Sequence, residues 1–354
     1  MKKKVLTGVA WCVVLALAVG FLNALFMPKY MSSIPEGAMI AEYYKEPTDH
    51  DVLFVGDCEV YENFSPDVLW REYGMVSYIR GSAQQLIWQS YYLLEEMLEK
   101  ESPKVVVFNV LSMKYGEPQN EAYNRMSIDG MRWSSHKIGA IQASLTEEET
   151  MLSYLLPLLR YHGRWKELSG EDFTYLFHRD EVTDSGYLMN VEVRPAANVP
   201  GGKPLADYRF ADVCYDYLDK MADLCEEKGA QLVLIKAPSL YPYWYDEWND
   251  QIEEYAAKRG LPYLNFLENA DEIGINYETD TYDSGLHLNL YGAEKLSHWF
   301  GAWLKENCEV PDRRGEEPYQ SAWEEKSEIY AARKAKLEAE WTAEQEVSGK
   351  EGTS

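Results

Sequence analysis

The chain is short of positive charge. Among its 354 residues, 34 are lysine or arginine and 59 are aspartate or glutamate, which gives a formal net charge of −25. Proteins that bind nucleic acid carry a basic patch or a basic overall balance. We therefore predict no nucleic-acid partner, although a local cationic site could still lie within an acidic surface.

Cysteine and histidine are also scarce, and their spacing fits no metal or dithiol site. The sequence has five cysteines and six histidines but no CxxC motif and no paired Cys/His pattern. This argues against structural zinc and against a thioredoxin-like dithiol. Cys214 and Cys225 lie about 16 Å apart on one predicted helix, which is too far for a disulfide. We expect no cofactor and no metal.

One long hydrophobic run stands at the N-terminus. Residues 5–27 are uncharged and, at 23 residues, are long enough to cross a bilayer as a helix. The lysines at 2–4 precede this run and only Lys29 follows closely, which predicts a cytoplasmic N-terminus, a single pass through the cell membrane and an extracytoplasmic main domain. The alternative is a cleaved signal peptide. It calls for a shorter apolar core and a small-x-small site, and Phe26-Met27-Pro28 supplies neither.

The rest of the chain has the composition and pattern of one large α/β domain. Hydrophobic residues make up 46% of the chain, enough to bury a full-sized core. Short apolar runs alternate with amphipathic helical segments, which predicts a doubly wound parallel five-stranded sheet with helices on both faces. The predicted strands are 51–55, 76–79, 104–109, 231–236 and 262–266, and the main helices lie near 84–99, 207–229 and 246–259.

Two further regions flank or interrupt this pattern. About 95 residues between the third and fourth strands are interpreted as a helical insertion or lid. In the insertion, Tyr-His-Gly-Arg-Trp at 161–165 could line a site, but packing is the simpler interpretation. The end of the chain is rich in Glu, Lys and Ala, which predicts a solvated helix with an unstructured end at 348–354. Within the insertion we expect one helix over 146–160 with its apolar residues inside, namely Met151, Leu152, Leu155, Leu156 and Leu159.

The predicted organisation follows from these patterns. It comprises a cytoplasmic tail at 1–4, a transmembrane anchor at 5–27, a linker at 28–47, the main domain at 48–310 with its insertion at about 112–205, and a charged tail at 311–354.

Residues suited to chemistry follow the predicted strands. Cys58 comes after the first strand, Gly81 after the second, Asn109 ends the third, and Asp283 and His287 come after the fifth. In an open parallel sheet, ligands bind outside the carboxyl ends of the strands. We therefore expect a nucleophile, a backbone donor, an amide, an acid and an imidazole to converge there.

These residues resemble the motifs of a known family. Gly56-Asp57-Cys58 is similar to the Gly-Asp-Ser block of the SGNH (GDSL-type) hydrolase and acyltransferase family, with cysteine in place of serine. Gly81 matches the glycine of the second block, and Asp283…His287-Leu288-Asn289 resembles the last block. The resemblance covers about residues 48–307 and implies a flavodoxin-like SGNH fold.

The resemblance also implies roles. Cys58 would be the nucleophile, His287 the general base and Asp283 the acid that orients it. The N–H groups of Cys58 and Gly81, together with Asn109, would hold the oxyanion.

The sequence departs from the family at the acid and at the asparagine. Ser284 occupies the position three residues before the histidine where the acid usually lies, so Asp283 and Asp280 both remain candidates. Asn109 stands in a Phe-Asn-Val setting without the family's neighbours, and Gln85 is a competitor for its role. Lys236, at the end of the fourth strand, could neutralise an acyl or phosphate oxygen.

Cysteine in place of serine leaves two functions open. A thiol becomes a nucleophile when an imidazole or a helix N-terminus favours the thiolate, so a Cys-His-Asp set can carry acyl transfer. The leading hypothesis is a membrane-anchored esterase or O-acyltransferase that acts on acyl esters of cell-envelope glycans through Cys58. The alternative is a non-catalytic SGNH-like envelope protein that binds a glycan or a partner.

Within the family, the N-terminal span and helical insertion look most similar to the membrane-anchored branch. That branch includes the D-alanyl transfer protein of teichoic-acid modification and the alginate O-acetylation proteins. This resemblance implies a cell-envelope glycan or acyl donor and a membrane-bound O-acyltransferase as partners.

Overall fold

The first helix of the structure precedes the main domain and is mostly apolar. This computed structural model describes residues 2–30, 34–35, 37–179 and 181–351. Helix α1 (Lys2–Phe26) is long and apolar enough to cross a membrane, as the sequence predicted. Two short strands follow it and pair antiparallel, β1 (Lys29–Tyr30) and β2 (Ile34–Pro35).

The main domain is built on one parallel sheet of five strands. Their order is β4-β3-β5-β6-β7, which is the 2-1-3-4-5 order of a doubly wound flavodoxin-like sheet. All four neighbouring pairs are parallel, so the predicted α/β fold class is confirmed. The strands are β3 (Val52–Gly56), β4 (Ser77–Gly81), β5 (Val105–Asn109), β6 (Gln231–Lys236) and β7 (Tyr263–Asn265).

Fourteen further α-helices and three 3₁₀ segments surround the sheet in the described parts of the chain. The α-helices are α2 (Ala38–Glu42), α3 (Cys58–Tyr61), α4 (Pro66–Tyr73), α5 (Ile87–Leu98), α6 (Glu121–Ile128), α7 (Ser135–Ser144), α8 (Met151–Leu155), α9 (Pro157–Tyr161), α10 (Gly170–Thr174), α11 (Asp212–Lys228), α12 (Asp246–Arg259), α13 (Ala270–Ile273), α14 (Leu290–Asn307) and α15 (Tyr319–Glu351). The 3₁₀ segments are Tyr43–Lys45, Val110–Lys114 and His162–Lys166.

Both faces of the sheet are covered. Leu53 and Val55 of β3 belong to a core shared with α5, α11 and α12, whereas Val52 and Phe54 belong to a core shared with α4, α13 and α14. Successive strand residues point to opposite faces, and a parallel sheet buried on both faces therefore has continuous apolar strands. This arrangement leaves the carboxyl edge of the sheet as the open crevice.

The insertion differs from its prediction at 146–160. Pro157 has no N–H to donate and disfavours a helical conformation at Leu156, so the segment forms two short helices, α8 and α9. The expectation that its leucines lie inside is wrong for Leu152, Leu155 and Leu159, each of which is more than half exposed.

The C-terminal helix also differs from its prediction. Helix α15 continues to Glu351, so residues 348–351 are helical rather than unstructured, and 352–354 lie outside the described residues. Its Trp323 and Tyr330 are buried, and the ring of Trp323 packs 5.7 Å from that of Trp70. Helix α15 is therefore docked on the main domain through two aromatic side chains spaced seven residues apart.

We expect Trp323→Ala to lower the free energy of unfolding by about 3–5 kcal/mol, because it removes a large buried side chain and leaves a cavity beside Trp70. Urea unfolding of the full-length protein in detergent, followed by circular dichroism, measures this change. Ile329→Ala is the matched control, since Ile329 is 48% exposed on the same helix. Equal unfolding midpoints for both variants would contradict the docking of α15.

Candidate active site

The turn after β3 presents Cys58 at the carboxyl edge of the sheet. The Asp57 side chain caps α3 by accepting the Glu59 N–H at 3.2 Å. Cys58 is the first residue of α3, where a backbone N–H has no partner within the helix. The residue as a whole is only partly exposed. The residue therefore offers both a thiol and a backbone donor to the crevice.

His287 is held by Asp283 at two points. Nδ1 of His287 lies 2.6 Å from Oδ2 of Asp283, and the His287 N–H donates to Oδ1 at 2.8 Å. Ser284 and Gly285 between them both adopt a positive φ, which turns the loop back and lets an acid four residues before the histidine reach it. Asp280, the other candidate, lies 2.6 Å from Lys295 Nζ instead.

The second ring nitrogen of His287, Nε2, is not the one that Asp283 contacts. Nε2 of His287 is buried and has no hydrogen-bond partner in the described chain. The imidazole lies near enough to the Cys58 thiol for each to shift the pKa of the other: His287 lowers that of the thiol, and Cys58 raises that of the imidazole. Since Nδ1 already carries Asp283, we infer that Nε2 is the nitrogen that faces the thiol. The structure thus brings Cys58, His287 and Asp283 together.

A second carboxylate, Glu62, also reaches the base and was missed in the sequence. Its Oε2 lies 3.3 Å from Nδ1 of His287, and it accepts a hydrogen bond from the Tyr282 hydroxyl. The Tyr282 ring in turn stacks on the imidazole at 6.0 Å. A signal was present, because Glu62 follows Cys58 by four residues and so shares its helix face.

These contacts set the protonation of the site. Burial lowers the pKa of His287, but Glu62, Cys58 and Asp283 together raise it well above its usual range. Burial raises the pKa of the Cys58 thiol to about 11, although His287 lowers it. Burial also raises the pKa of Glu62 to about 7, although His287 lowers it. At neutral pH the resting site therefore holds a neutral thiol beside an imidazolium.

The other two residues predicted to hold the oxyanion, Gly81 and Asn109, lie beside the Cys58 turn but differ in their contacts. Gly81 is opposite Gly56 in the sheet, and a Cβ there would stand 2.9 Å from the Gly56 carbonyl oxygen, so glycine lets β4 approach the Cys58 turn. Asn109 is fully buried, and its amide donates to Asp57 at 3.0 Å and to Glu59 at 2.9 Å. Both amide hydrogens of Asn109 are thus engaged with carboxylates.

The other two polar candidates do not face the crevice. Lys236 is fully buried, with its ammonium 2.9 Å from Glu59 and 2.7 Å from the Ala237 carbonyl oxygen. Gln85 donates to Ser90 at 3.0 Å. Lys236 therefore stabilises the Cys58 turn by binding Glu59 and is not free to bind a substrate oxygen.

Comparison with known proteins adds two distant structural likenesses. No family model and no curated protein match the chain. A GDSL-like lipase from Bacteroides thetaiotaomicron is 14% identical, with a TM-score of 0.36, over 77% of this chain and 99% of its own. An acylhydrolase from Bacteroides fragilis, so described, is 12% identical, with a TM-score of 0.36, over 75% of this chain and 94% of its own. Function is therefore argued from the geometry of the site.

Alkylation of Cys58 should report the thiol–imidazole interaction. With a pKa of about 11, the thiolate fraction rises about tenfold per pH unit between pH 7 and 10. His287→Ala removes the positive charge that lowers this pKa, so alkylation by iodoacetamide should slow roughly tenfold or more. Peptide mass spectrometry isolates Cys58 from the other cysteines. His298→Ala, at an exposed histidine, should leave the rate unchanged; an equal or faster rate in His287→Ala would contradict the contact.

Glu62→Gln should lower the pKa of His287, because Glu62 is the largest charge that raises it. The pH dependence of deuterium exchange at the imidazole C2 proton, followed by mass spectrometry, gives the midpoint for each histidine. Glu72→Gln is the matched control, since Glu72 pairs with His298. The same His287 midpoint in both variants would mean that Glu62 does not act on the base.

Proposed function

We propose that the chain is a membrane-anchored SGNH-like esterase or O-acyltransferase that acts on acyl esters of cell-envelope glycans through a Cys58 nucleophile. The observation that carries this proposal is that Asp283 holds the His287 imidazole at 2.6 Å while His287 lies near enough to Cys58 to lower the pKa of its thiol, at the carboxyl edge of the sheet. In the proposal α1 is a signal anchor with a cytoplasmic N-terminus, and the main domain is extracytoplasmic.

The first half of the reaction makes a thioester. The Cys58 thiol gives its proton to Nε2 of His287, and the sulfur forms a bond to the ester carbonyl carbon. The carbon–oxygen bond of the ester then breaks, and the alcohol leaves with the proton from the imidazolium. Asp283 keeps Nδ1 protonated and stabilises the imidazolium as it forms.

The second half transfers the acyl group onward. A water molecule or an acceptor hydroxyl gives its proton to His287 and attacks the thioester carbon. The carbon–sulfur bond breaks, and the sulfur recovers its proton. The N–H groups of Cys58 and Gly81 would hold the oxyanion in both halves. Since both the thiol and the imidazole hold protons at rest, the reacting form has lost one of them, and the rate should rise with pH.

Support for a glycan substrate comes from the aromatic segment after β6. The Tyr241 hydroxyl donates to the Asp283 carbonyl oxygen at 2.8 Å, which places this segment beside the catalytic loop. Tyr243 is 45% exposed, whereas Trp244 and Trp248 are buried in the core. An exposed ring two residues after Tyr241 suits stacking on a sugar. A membrane-bound O-acyltransferase as donor partner belongs to the proposal by resemblance only.

The second candidate is a non-catalytic protein that binds an acylated glycan in the same crevice. The thiol pKa of about 11 favours it, because few thiolates exist at neutral pH. The partly exposed Cys58 would then close the turn without reacting.

Mass spectrometry after exposure to p-nitrophenyl acetate separates the two functions. We expect the full-length protein in detergent to gain a hydroxylamine-sensitive acetyl group on Cys58, more at pH 9 than at pH 7. His287→Ala should reduce this adduct at least tenfold, and Cys58→Ser should carry instead an ester that resists hydroxylamine at neutral pH. Cys308→Ala is the control for a buried cysteine outside the site. No adduct on Cys58 at either pH would overturn catalysis and leave the binding function.

A further inference from the structure

Exposed apolar side chains outside α1 are concentrated in one part of the insertion. Six of the twelve large hydrophobic residues that are exposed in the described chain after α1 fall within residues 151–177, with exposures from 48% to 87%. They are Leu152, Leu155, Leu159, Trp165, Phe173 and Phe177. Soluble surfaces rarely gather such residues, and a contiguous group marks a contact with a partner or a membrane.

The same segment is fastened to the end of α1. The Leu158 N–H donates to the Asn23 side chain at 3.0 Å, and the Arg164 guanidinium donates to the carbonyl oxygens of Phe26 and Met27 at 2.8 and 2.7 Å. The last carbonyls of a helix lack partners within it, so Arg164 satisfies acceptors that are otherwise free. These bonds fix the segment at the point where the apolar run of α1 ends.

The exposed apolar residues lie next to those fastening points. Leu159 follows Leu158 directly, and Trp165 follows Arg164 directly. Consecutive Cα atoms are less than 4 Å apart, so the side chains of Leu159 and Trp165 start close to the C-terminal end of α1. That end lies at the boundary between acyl chains and headgroups if α1 crosses a bilayer.

The local charge also suits a lipid surface. Residues 151–177 contain three basic residues, Arg160, Arg164 and Lys166, and three acidic ones, so the segment is neutral in a chain whose net charge is −25. The Lys166 ammonium lies 5.2 Å from the Trp165 ring centre. Tryptophan with neighbouring arginine and lysine is the combination enriched at membrane interfaces.

The segment is also held to the main domain, so it is a rigid link rather than a loose loop. Arg160 Nε lies 2.9 Å from a Glu121 oxygen of α6, and Arg125 of α6 donates to Ser153 of α8 at 3.1 Å. An interface contact here would therefore fix the whole domain relative to the membrane.

We propose that residues 151–177 form an interfacial segment that seats its apolar side chains in the lipid leaflet from which α1 emerges. The occupant of this surface is lipid, because the segment is continuous through hydrogen bonds with the helix that would cross the bilayer. The inference rests on α1 remaining as a membrane anchor and not on any chemistry at Cys58.

Photolabelling in vesicles tests the proposal. Full-length protein is reconstituted in phosphatidylethanolamine and phosphatidylglycerol that contain a lipid with a diazirine near the headgroup end of its acyl chain. After irradiation, adducts are mapped by peptide mass spectrometry. We expect adducts on the 151–177 peptides at several times the yield on peptides around Ile329 and Val347, which are exposed apolar residues of α15.

Substitution of three exposed apolar residues provides a second test of the proposal. Leu155→Ser, Leu159→Ser and Trp165→Ser together should reduce labelling of 151–177 at least threefold with an unchanged circular dichroism spectrum, whereas Ile329→Ser should not. Labelling confined to α1, or equal on 151–177 and α15, would overturn the proposal.

Discussion

The carboxylate of Glu59 and the ammonium of Lys236 meet at 2.9 Å, and neither side chain is exposed to solvent. Glu59 follows β3 and Lys236 ends β6, while Asn109, at the end of β5 between them, also donates to Glu59. The pair therefore ties the ends of three central strands together directly beneath Cys58. A buried charge that loses its partner is strongly destabilising, so the position of the nucleophile turn depends on this pair remaining intact.

The carboxylates around the Cys58 thiol raise its pKa, whereas the neighbouring His287 lowers it. Asp57 and Glu62 both raise the pKa of Cys58, and Asp57 itself has a pKa raised to about 6 by burial and by Glu59. Glu62 also raises the pKa of His287 and so stabilises an imidazolium there. At rest the site holds an imidazolium beside a neutral thiol. In the proposed reaction, an ester would therefore react only after the thiol or the imidazolium has lost a proton. The raised pKa of the thiol is thus a property of its burial and of the neighbouring carboxylates, and not of the cysteine alone.

The fold and the acid–base set could be predicted because each depended on a local pattern. Apolar runs of four to six residues located all five strands to within two residues at either end, and the rule that ligands bind at strand ends located Cys58 and His287. Partners distant in sequence gave no such pattern. Glu59 and Lys236 are 177 residues apart, and nothing local indicates that they meet. The choice of Asp283 over Asp280 depended on the backbone turn at Ser284, which the sequence does not specify.

The prediction of one buried helix over 146–160 failed for a physical reason that bears on function. A helical period in apolar residues indicates one face that avoids water, but it does not say whether a protein core or a membrane covers that face. Later in the insertion, Leu188 donates to the Tyr61 carbonyl oxygen of α3 at 2.8 Å, and Arg194 donates to the Thr281 carbonyl oxygen at 2.9 Å. One insertion thus contacts the end of α1, the Cys58 helix and the loop before His287. A segment that seats in the leaflet would therefore set the height and direction at which the crevice meets substrates carried at the membrane surface.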